Sequence, residues 1–197
     1  MKHTYDALIL AGGRGARLGG KDKGWVMWSG LPLVEHALAA LATQVPPPAR
    51  ILISANRNVD AYQQTGHVVV VDERPDFSGP MAGIEAGLMR CKKNNLLVIP
   101  CDAPLLPEDL FEKLQQALTD QPDAVAAYAV TSEAAQPLCC LLKPSVAGSL
   151  GKQLDAGHVA TLTWLEAIQA VPVQFEQAAS FTHFNTPEAL QAQRNPS

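Results

Sequence analysis

The stretch LILAGGRGARLGGKDKG, residues 8–24, joins an apolar run to a loop rich in glycine and positive charge. Residues 7–11, ALILA, are uninterrupted by any polar side chain, which is typical of a strand buried on both faces of a sheet. Glycines then end the run, and the loop carries the cations Arg14, Arg17, Lys21 and Lys23. A positively charged loop directly after a buried strand predicts a site for an anion.

The composition limits what that anion is. The chain has 197 residues, which fits one domain of ordinary size, and its hydrophobic content of 47% is enough for a substantial core. Its formal net charge of -4 argues against a nucleic-acid-binding protein, which would usually carry a basic excess. Local positive charge on an acidic protein instead favours a small anionic ligand.

The cysteines and the apolar segments indicate the cellular compartment in which the protein works. Cys91, Cys101, Cys139 and Cys140 show no C-x-x-C spacing, so we expect small buried hydrophobes in a reducing compartment rather than a zinc site or a disulfide framework. The first residues, MKHTYD, have no apolar segment of the signal-peptide kind, and no apolar run approaches transmembrane length. We therefore expect a cytoplasmic protein that does not enter a membrane.

Apolar runs and helical periods alternate along the chain. Strands are predicted at 7–11, 50–54, 68–71, 96–100, 124–130, 138–142 and 171–175. Helices are predicted at 32–41, 80–91, 107–118, 145–154 and 161–168, and from Pro187 onward with Thr186 as its cap. Gly83 and Gly87 would let the second helix pack closely on a neighbour.

This alternation predicts an α/β fold with three layers, in which helices cover both faces of a mostly parallel, Rossmann-like sheet. Such sheets bind ligands at the carboxyl ends of their strands. Four groups follow predicted strands and should meet in one crevice: the loop 12–23, residues 54–56, Asp72 and Asp102.

Two well-known phosphate loops do not match the glycines after the first strand. The dinucleotide fingerprint G-x-G-x-x-G begins at Gly13, but its last glycine falls at 19, one place too late. The Walker A pattern fits from Gly15 to Lys21 and then fails at Asp22, where a hydroxyl should hold magnesium.

Phosphate remains the ligand that the loop suits best. Backbone N–H groups of Gly12, Gly13 and Gly15 would approach an anion without a side chain in the way, and Arg17 and Lys23 would add charge. An exposed loop with solvated cations stays open as the alternative.

Several ordered motifs together carry a resemblance to a known family. Residues 10–13 (LAGG), 17–19 (RLG) and 22–24 (DKG) resemble the L-A-G-G-x-x-x-R-[ML]-G-x-x-D-K signature of nucleotidyltransferases. Residues 55–57 (ANR), 79–83 (GPMAG), 100–104 (PCDAP) and 185–188 (NTPE) extend the match over nearly the whole chain. The sequence as a whole resembles the molybdenum cofactor guanylyltransferase family, of the MobA type.

The resemblance implies an enzyme that transfers GMP from GTP to molybdopterin or molybdenum cofactor and releases pyrophosphate. Catalysis would fall to Arg17, Lys23 and Asp102, with Asp102 also holding Mg2+, or alternatively Mn2+. The GTP site implied by the resemblance comprises Leu10, Ala11, Gly12, Gly13, Arg17, Lys23, Ser54, Asn56, Asp72 and Asp102. In it, backbone N–H groups of residues 10–13 would cradle the triphosphate, and residues 54–56 with Asp72 would recognise guanine.

The same resemblance implies a second subsite for the acceptor. Molybdopterin would contact Gly79, Pro80, Gly83, Gln136, Pro137 and Asn185. One nucleotidyltransferase domain would span residues 1–197, with GTP bound by a part covering about 1–105 and molybdopterin by a part covering about 106–197. Transient contacts with cofactor-synthesis or acceptor proteins are expected, but none with nucleic acid or a membrane.

The chain departs from the family pattern at two positions. Ser54 stands where the family commonly has Asn, which bears on one contact to the base or ribose. His183 stands where the family often has Asn, in the motif that continues to Asn185.

Other functions remain to be weighed against this one. A molybdopterin cytidylyltransferase would need a pocket for a pyrimidine, and sugar-phosphate nucleotidyltransferases usually have longer chains. A non-enzymatic nucleotide- or cofactor-binding module would have no need of Asp102 beside Lys23. A nicotinamide oxidoreductase is disfavoured by the misplaced glycine.

Overall fold

The computed structural model of the protein describes residues 4–12, 22–74, 79–91 and 94–184. Its strands, in chain order, are β1 (Tyr5–Leu10), β2 (Met27–Trp28), β3 (Leu31–Pro32), β4 (Arg50–Ser54), β5 (Val68–Val70), β6 (Asn95–Pro100), β7 (Ala126–Val130), β8 (Ala135–Leu142) and β9 (Val171–Gln174). Seven of them form one sheet in the order β5-β4-β1-β6-β8-β7-β9, and β2 pairs with β3 in a separate ribbon.

Most neighbours in the large sheet run parallel, as predicted. β1 pairs in parallel with both β4 and β6. Two further pairs are also parallel, namely β4–β5 and β7–β9. Strand β8 is antiparallel to both β6 and β7. Its direction follows from the tight turn that precedes it, in which Thr131 N–H donates to the carbonyl of Ala134 at 2.9 Å, because a turn this short can only join antiparallel strands.

Helices cover both faces of the sheet. They are α1 (Leu33–Ala42), α2 (Val59–Gln63), α3 (Pro80–Arg90), α4 (Leu110–Asp120), α5 (Ala147–Asp155) and α6 (Thr161–Ala167). Ala7 and Ile9 of β1 face one core cluster, shared with α1, α2 and α4, whereas Leu8 and Leu10 face a second cluster, shared with α3, α5 and α6. Side chains alternate across a strand, so an all-apolar strand serves two cores, and the three-layer fold is confirmed.

Helix α3 lies unusually close to the sheet at two glycines. A methyl group at Gly87 would come within 2.7 Å of Leu8 Cδ2 and 3.2 Å of Leu96 Cδ2. A methyl group at Gly83 would overlap the hydroxyl oxygen of Ser54 and lie 3.1 Å from Leu10 Cδ2. The close packing predicted for these two glycines is therefore confirmed, and Gly83 borders the carboxyl end of β4.

Two short elements were not predicted from the sequence, namely α2 and the β2–β3 ribbon. The helix predicted from Pro187, with its cap Thr186, lies outside the described residues. All four cysteines are buried and unbridged, as expected, and burial raises the pKa of each thiol, to about 12 for Cys91. In the part of the chain that the structure describes, no helix is both long and apolar enough to cross a membrane.

Candidate active site

A cavity of about 360 Å³ opens at the carboxyl ends of β1, β4 and β6. Its lining includes ten residues singled out from the sequence: Leu10, Gly12, Lys23, Ser54, Asn56, Asp72, Gly79, Pro80, Gly83 and Asp102. Pro100 and Leu138 complete the described lining. The fold thus brings these residues to one edge of the sheet although they are up to 92 positions apart in the sequence, from Leu10 to Asp102. This is the edge at which parallel sheets bind ligands.

Asp102 is the buried charge of this cavity. It follows β6 directly, is only 3% exposed, and forms an ion pair through Oδ2 with the ammonium of Lys23, whose side chain is 27% exposed. The Nδ1 of His183 donates to the same oxygen at 3.1 Å. Burial favours protonation, yet the His183 hydrogen bond and the charge of Lys23 together hold the pKa of Asp102 below its usual value. The carboxylate is therefore ionised at neutral pH.

The backbone around Asp102 is fixed as well. The N–H of Phe184 donates to the carbonyl oxygen of Asp102 at 2.8 Å, so the segment that carries His183 is fastened to the end of β6. The sequence drew attention to His183 only as a departure from the family pattern. Its contact with Asp102 spans 81 positions, and no local pattern could have indicated it.

The donor set at Asp102 fits a hard divalent cation. Within the described residues, no three carboxylate, imidazole or thiol groups cluster as a metal cage would require. Mg2+ is commonly held by one or two carboxylates, with waters and substrate phosphates completing its octahedral shell. Both contacts of Asp102 use Oδ2, which leaves Oδ1 to face a cation as far as the described residues show.

Asn56 and Asp72 form a reciprocal pair at the ends of β4 and β5. The amide Nδ2 of Asn56 donates to Asp72 Oδ2, and the N–H of Asp72 donates to Asn56 Oδ1 at 3.1 Å. Both ends of the Asn56 amide are therefore engaged by Asp72. Asn56 orients the carboxylate through Asp72 Oδ2, and Asn56 does not engage Asp72 Oδ1.

The backbone N–H groups at the end of β1 have partners within the sheet. The N–H groups of Ala11 and Gly12 both donate to the carbonyl of Ser54, at 3.0 and 2.8 Å. They fasten β1 to β4, and the cradle of N–H groups expected from residues 10–13 stays a prediction. Ala11 is buried, while Leu10 and Gly12 line the cavity.

The predicted acceptor residues are only partly gathered. Gly79 has φ +69° and ψ −159°, a backbone conformation that essentially only glycine adopts, and Pro80 and Gly83 follow it in the first turn of α3. Gln136 and Pro137 are half-buried at the start of β8 and lie beside the described lining rather than in it. Leu138 was missed, because the register of β8 against β7 shifts between Gln136 and Cys140, and simple strand alternation does not show which way Leu138 faces.

Four residues predicted to bind substrate lie outside the described residues: Gly13, Gly15, Arg17 and Asn185.

Comparison with known proteins agrees with this geometry. Residues 7–170 match the MobA-like NTP transferase domain. The chain is 44% identical over 186 residues to the molybdenum cofactor guanylyltransferase of Polynucleobacter asymbioticus, with 93% of this chain and 92% of that protein covered. It is 43% identical over 188 residues to the protein of the same name from Cupriavidus metallidurans, with 93% and 91% covered. The chain belongs to the molybdenum cofactor guanylyltransferase family.

A solved structure supports the fold of this guanylyltransferase family member. The molybdopterin-guanine dinucleotide biosynthesis protein A of Archaeoglobus fulgidus has a TM-score of 0.73 and covers 95% of both chains at 22% identity. At that identity the likeness concerns the fold alone. The family, the nucleotidyltransferase fold and the enzyme class inferred from the sequence motifs are confirmed.

Proposed function

We propose that this protein transfers GMP from GTP to molybdopterin or molybdenum cofactor, forms the guanine dinucleotide cofactor and releases pyrophosphate. The observation that carries the proposal is the meeting of Lys23 with buried Asp102 in a cavity that also holds the Asn56–Asp72 pair. One part of the cavity thus offers charge for phosphates and metal, and another offers an oriented carboxylate for a base.

Asp102 is the residue that would hold Mg2+, the metal that we propose in preference to Mn2+. When bound, the cation would offset phosphate charge. Lys23 would neutralise charge that develops on the leaving pyrophosphate, and Arg17 is assigned the same role from its motif position. The acceptor phosphate is already ionised and nucleophilic, so the protein has to align it in line with the α-phosphorus rather than remove a proton.

Asp72 is the group that we propose for guanine recognition. A carboxylate accepts hydrogen bonds from N1–H and N2–H of guanine. Cytosine and adenine do not offer that adjacent pair of donors. Asn56 holds the carboxylate in place through both ends of its amide. A polar site matched to one base rejects others because mismatched groups would be buried without partners.

The acceptor subsite is proposed at the opening of α3, from Gly79, Pro80 and Gly83, together with Gln136, Pro137 and Asn185. The division into a GTP-binding part of about 1–105 and a molybdopterin-binding part of about 106–197 stays a proposal. Gly79, Pro80 and Gly83 line the cavity and lie before residue 105, so the acceptor subsite would draw on both parts. We propose that the reaction takes place in the cytoplasm, with transient contacts to cofactor-synthesis or acceptor proteins.

The test is a transfer assay with purified protein. Molybdenum cofactor and Mg2+ are incubated with GTP, CTP or ATP, and both pyrophosphate and the dinucleotide product are measured. We expect strong preference for GTP and no pyrophosphate when the acceptor is omitted. Equal turnover with CTP would refute the guanylyl assignment, and pyrophosphate formed equally without acceptor would refute transfer to molybdopterin.

A further inference from the structure

The short turn that carries Lys23 is held by a second cluster of side chains, which we call the Asp22 clamp: Asp22, Asn58 and Tyr62. The hydroxyl of Tyr62 donates to Asp22 Oδ1 at 2.6 Å, and the amide of Asn58 donates to Asp22 Oδ2 at 3.0 Å. The N–H of Gly24 donates to Asp22 Oδ1 at 3.3 Å, so the carboxylate caps the 3-10 turn Lys23–Trp25. Charge-assisted hydrogen bonds of this kind are shorter and stronger than neutral ones.

Tyr62 makes the clamp a rigid support. Its side chain belongs to α2 and is fully buried in the core cluster shared with α1 and α4, and the centroid of its ring lies 5.2 Å from that of Trp25. A methyl group at Gly24 would overlap the Tyr62 hydroxyl, so the turn rests directly on this side chain. Burial, and then the hydrogen bond to Asp22, raise the pKa of Tyr62, which keeps the hydroxyl a donor at neutral pH.

The clamp links the chain segments that carry two parts of the proposed GTP site, namely the Lys23–Asp102 ion pair and the Asn56–Asp72 pair. Lys23 follows Asp22 and reaches Asp102, while Asn58 and Tyr62 follow Asn56, which orients Asp72. None of the clamp residues lines the cavity within the described part of the chain. Lysine is a point charge on a flexible stem, so the position of its ammonium depends on how firmly its backbone is held.

We propose that Tyr62 and Asn58 are positioning residues for nucleotidyl transfer, which act through Asp22 to fix the turn and place the Lys23 ammonium on the phosphates of GTP. The inference rests on the proposed function, because it takes the role of Lys23 from there. A misplacement of about 1 Å in a catalytic group can cost about a hundredfold in rate. Since Asn58 and Gly24 still hold Asp22 when the Tyr62 hydroxyl is removed, we expect Tyr62→Phe to lower kcat/KM for GTP by about tenfold.

The chain offers a matched control. Tyr5 is also buried, and its hydroxyl donates to the carbonyl of Pro46 at 3.1 Å, outside the described cavity lining. Tyr5→Phe removes the same atom from the same kind of site and should leave kcat/KM within twofold of the wild type. Thermal unfolding of both variants shows whether they lose similar stability. If Tyr62→Phe does not fold, Asn58→Gly replaces it, because glycine tolerates the left-handed backbone at Asn58, where φ is +50°.

Two further readouts separate positioning from a general loss of structure. In calorimetric titrations, Tyr62→Phe should weaken binding of GTP but not of guanosine, which has no phosphates for Lys23 to meet. In a double-mutant cycle, Tyr62→Phe should cost almost nothing once Lys23→Ala is present, because the hydroxyl acts through that ammonium.

The outcomes distinguish this inference from the proposed function. Wild-type kinetics in Tyr62→Phe, equal weakening of guanosine and GTP, or additive losses with Lys23→Ala would each overturn the positioning role and leave the transferase assignment standing. Normal transfer by Lys23→Ala alone would overturn the proposed role of Lys23 and this inference together.

Discussion

Helix α3 provides a test of how close packing shapes the cavity, because the two glycines at which it packs against the sheet, Gly83 and Gly87, have different neighbours. A methyl group at Gly83 meets Ser54 and Leu10, both of which line the cavity. A methyl group at Gly87, one turn further along, meets Leu8 and Leu96 in the core. Gly83→Ala and Gly87→Ala therefore add the same atoms to the same helix at the same kind of contact.

The expected loss of stability is similar for the two variants. Replacing a glycine inside a helix by alanine gains about 1 kcal/mol of helix propensity. Overpacking of a close contact costs about 1–3 kcal/mol, so each variant should lose between zero and about 2 kcal/mol of its free energy of unfolding. In a domain of this size about 1 kcal/mol corresponds to a shift in Tm of about 2–4 °C, and neither Tm should fall by more than about 8 °C.

The expected loss of activity differs. The methyl group of Gly83→Ala has to displace the Ser54 hydroxyl or push α3 outward, and either change alters the wall of the cavity. We expect kcat/KM for GTP to fall about tenfold or more in Gly83→Ala, by the same sensitivity to misplacement, and to stay within twofold in Gly87→Ala.

Transfer assays with varied GTP, run at a temperature where both variants are folded, give this comparison. If both variants lost the same activity at the same stability, the contact between α3 and the sheet would affect the whole fold rather than the cavity. Wild-type kinetics in Gly83→Ala would show that substrates do not use this wall.

The charged groups give the remaining predictions. Asp102→Asn should keep the fold but lose most transfer at low Mg2+, because an amide carries no charge to hold the cation; normal turnover would refute the metal assignment. The pKa of Asp102 is lower in the folded protein than in the unfolded chain, where it is about 4, so the ionised carboxylate stabilises the folded state above about pH 4. That contribution is lost as the pH falls further. The difference in free energy of unfolding in urea between wild type and Asp102→Asn should therefore shrink below about pH 4. Among alanine variants of the loop cations, Lys23→Ala and Arg17→Ala should each cost about 2–4 kcal/mol in kcat/KM at both low and high salt, whereas Arg14→Ala and Lys21→Ala should cost under about 1 kcal/mol. Similar losses for all four that disappear at high salt would indicate a diffuse positive patch.

The sheet was largely predictable from the sequence because its strands are buried on two sides. β1 and β6 are apolar at almost every position, and only a strand between two helical layers requires that pattern. Two features were beyond this reasoning. Helix α2 is too short to show a helical period, and the reversed direction of β8 depends on a turn whose geometry a polar stretch does not specify by itself.

The site was predictable as a set of residues but not as a set of contacts. Strand-end placement was enough to gather Asp72 and Asp102, because the carboxyl ends of parallel strands meet at one edge. The partners of the polar groups depend on register, which the sequence does not display. Leu10 pairs with Ser54 across β1 and β4, and this register brings the amides of Ala11 and Gly12 to the Ser54 carbonyl.

The two departures from the family pattern have different physical consequences. The Ser54 side chain stands where α3 approaches the sheet at Gly83, so the space between helix and strand restricts which side chain this position accepts. His183 instead contacts Asp102 directly, on the same oxygen that Lys23 uses. The ring N–H of His183 thus donates to the carboxylate that we propose to bind metal. The departure at His183 therefore concerns the hydrogen bonds of the proposed metal ligand, whereas the departure at Ser54 concerns the shape of the cavity.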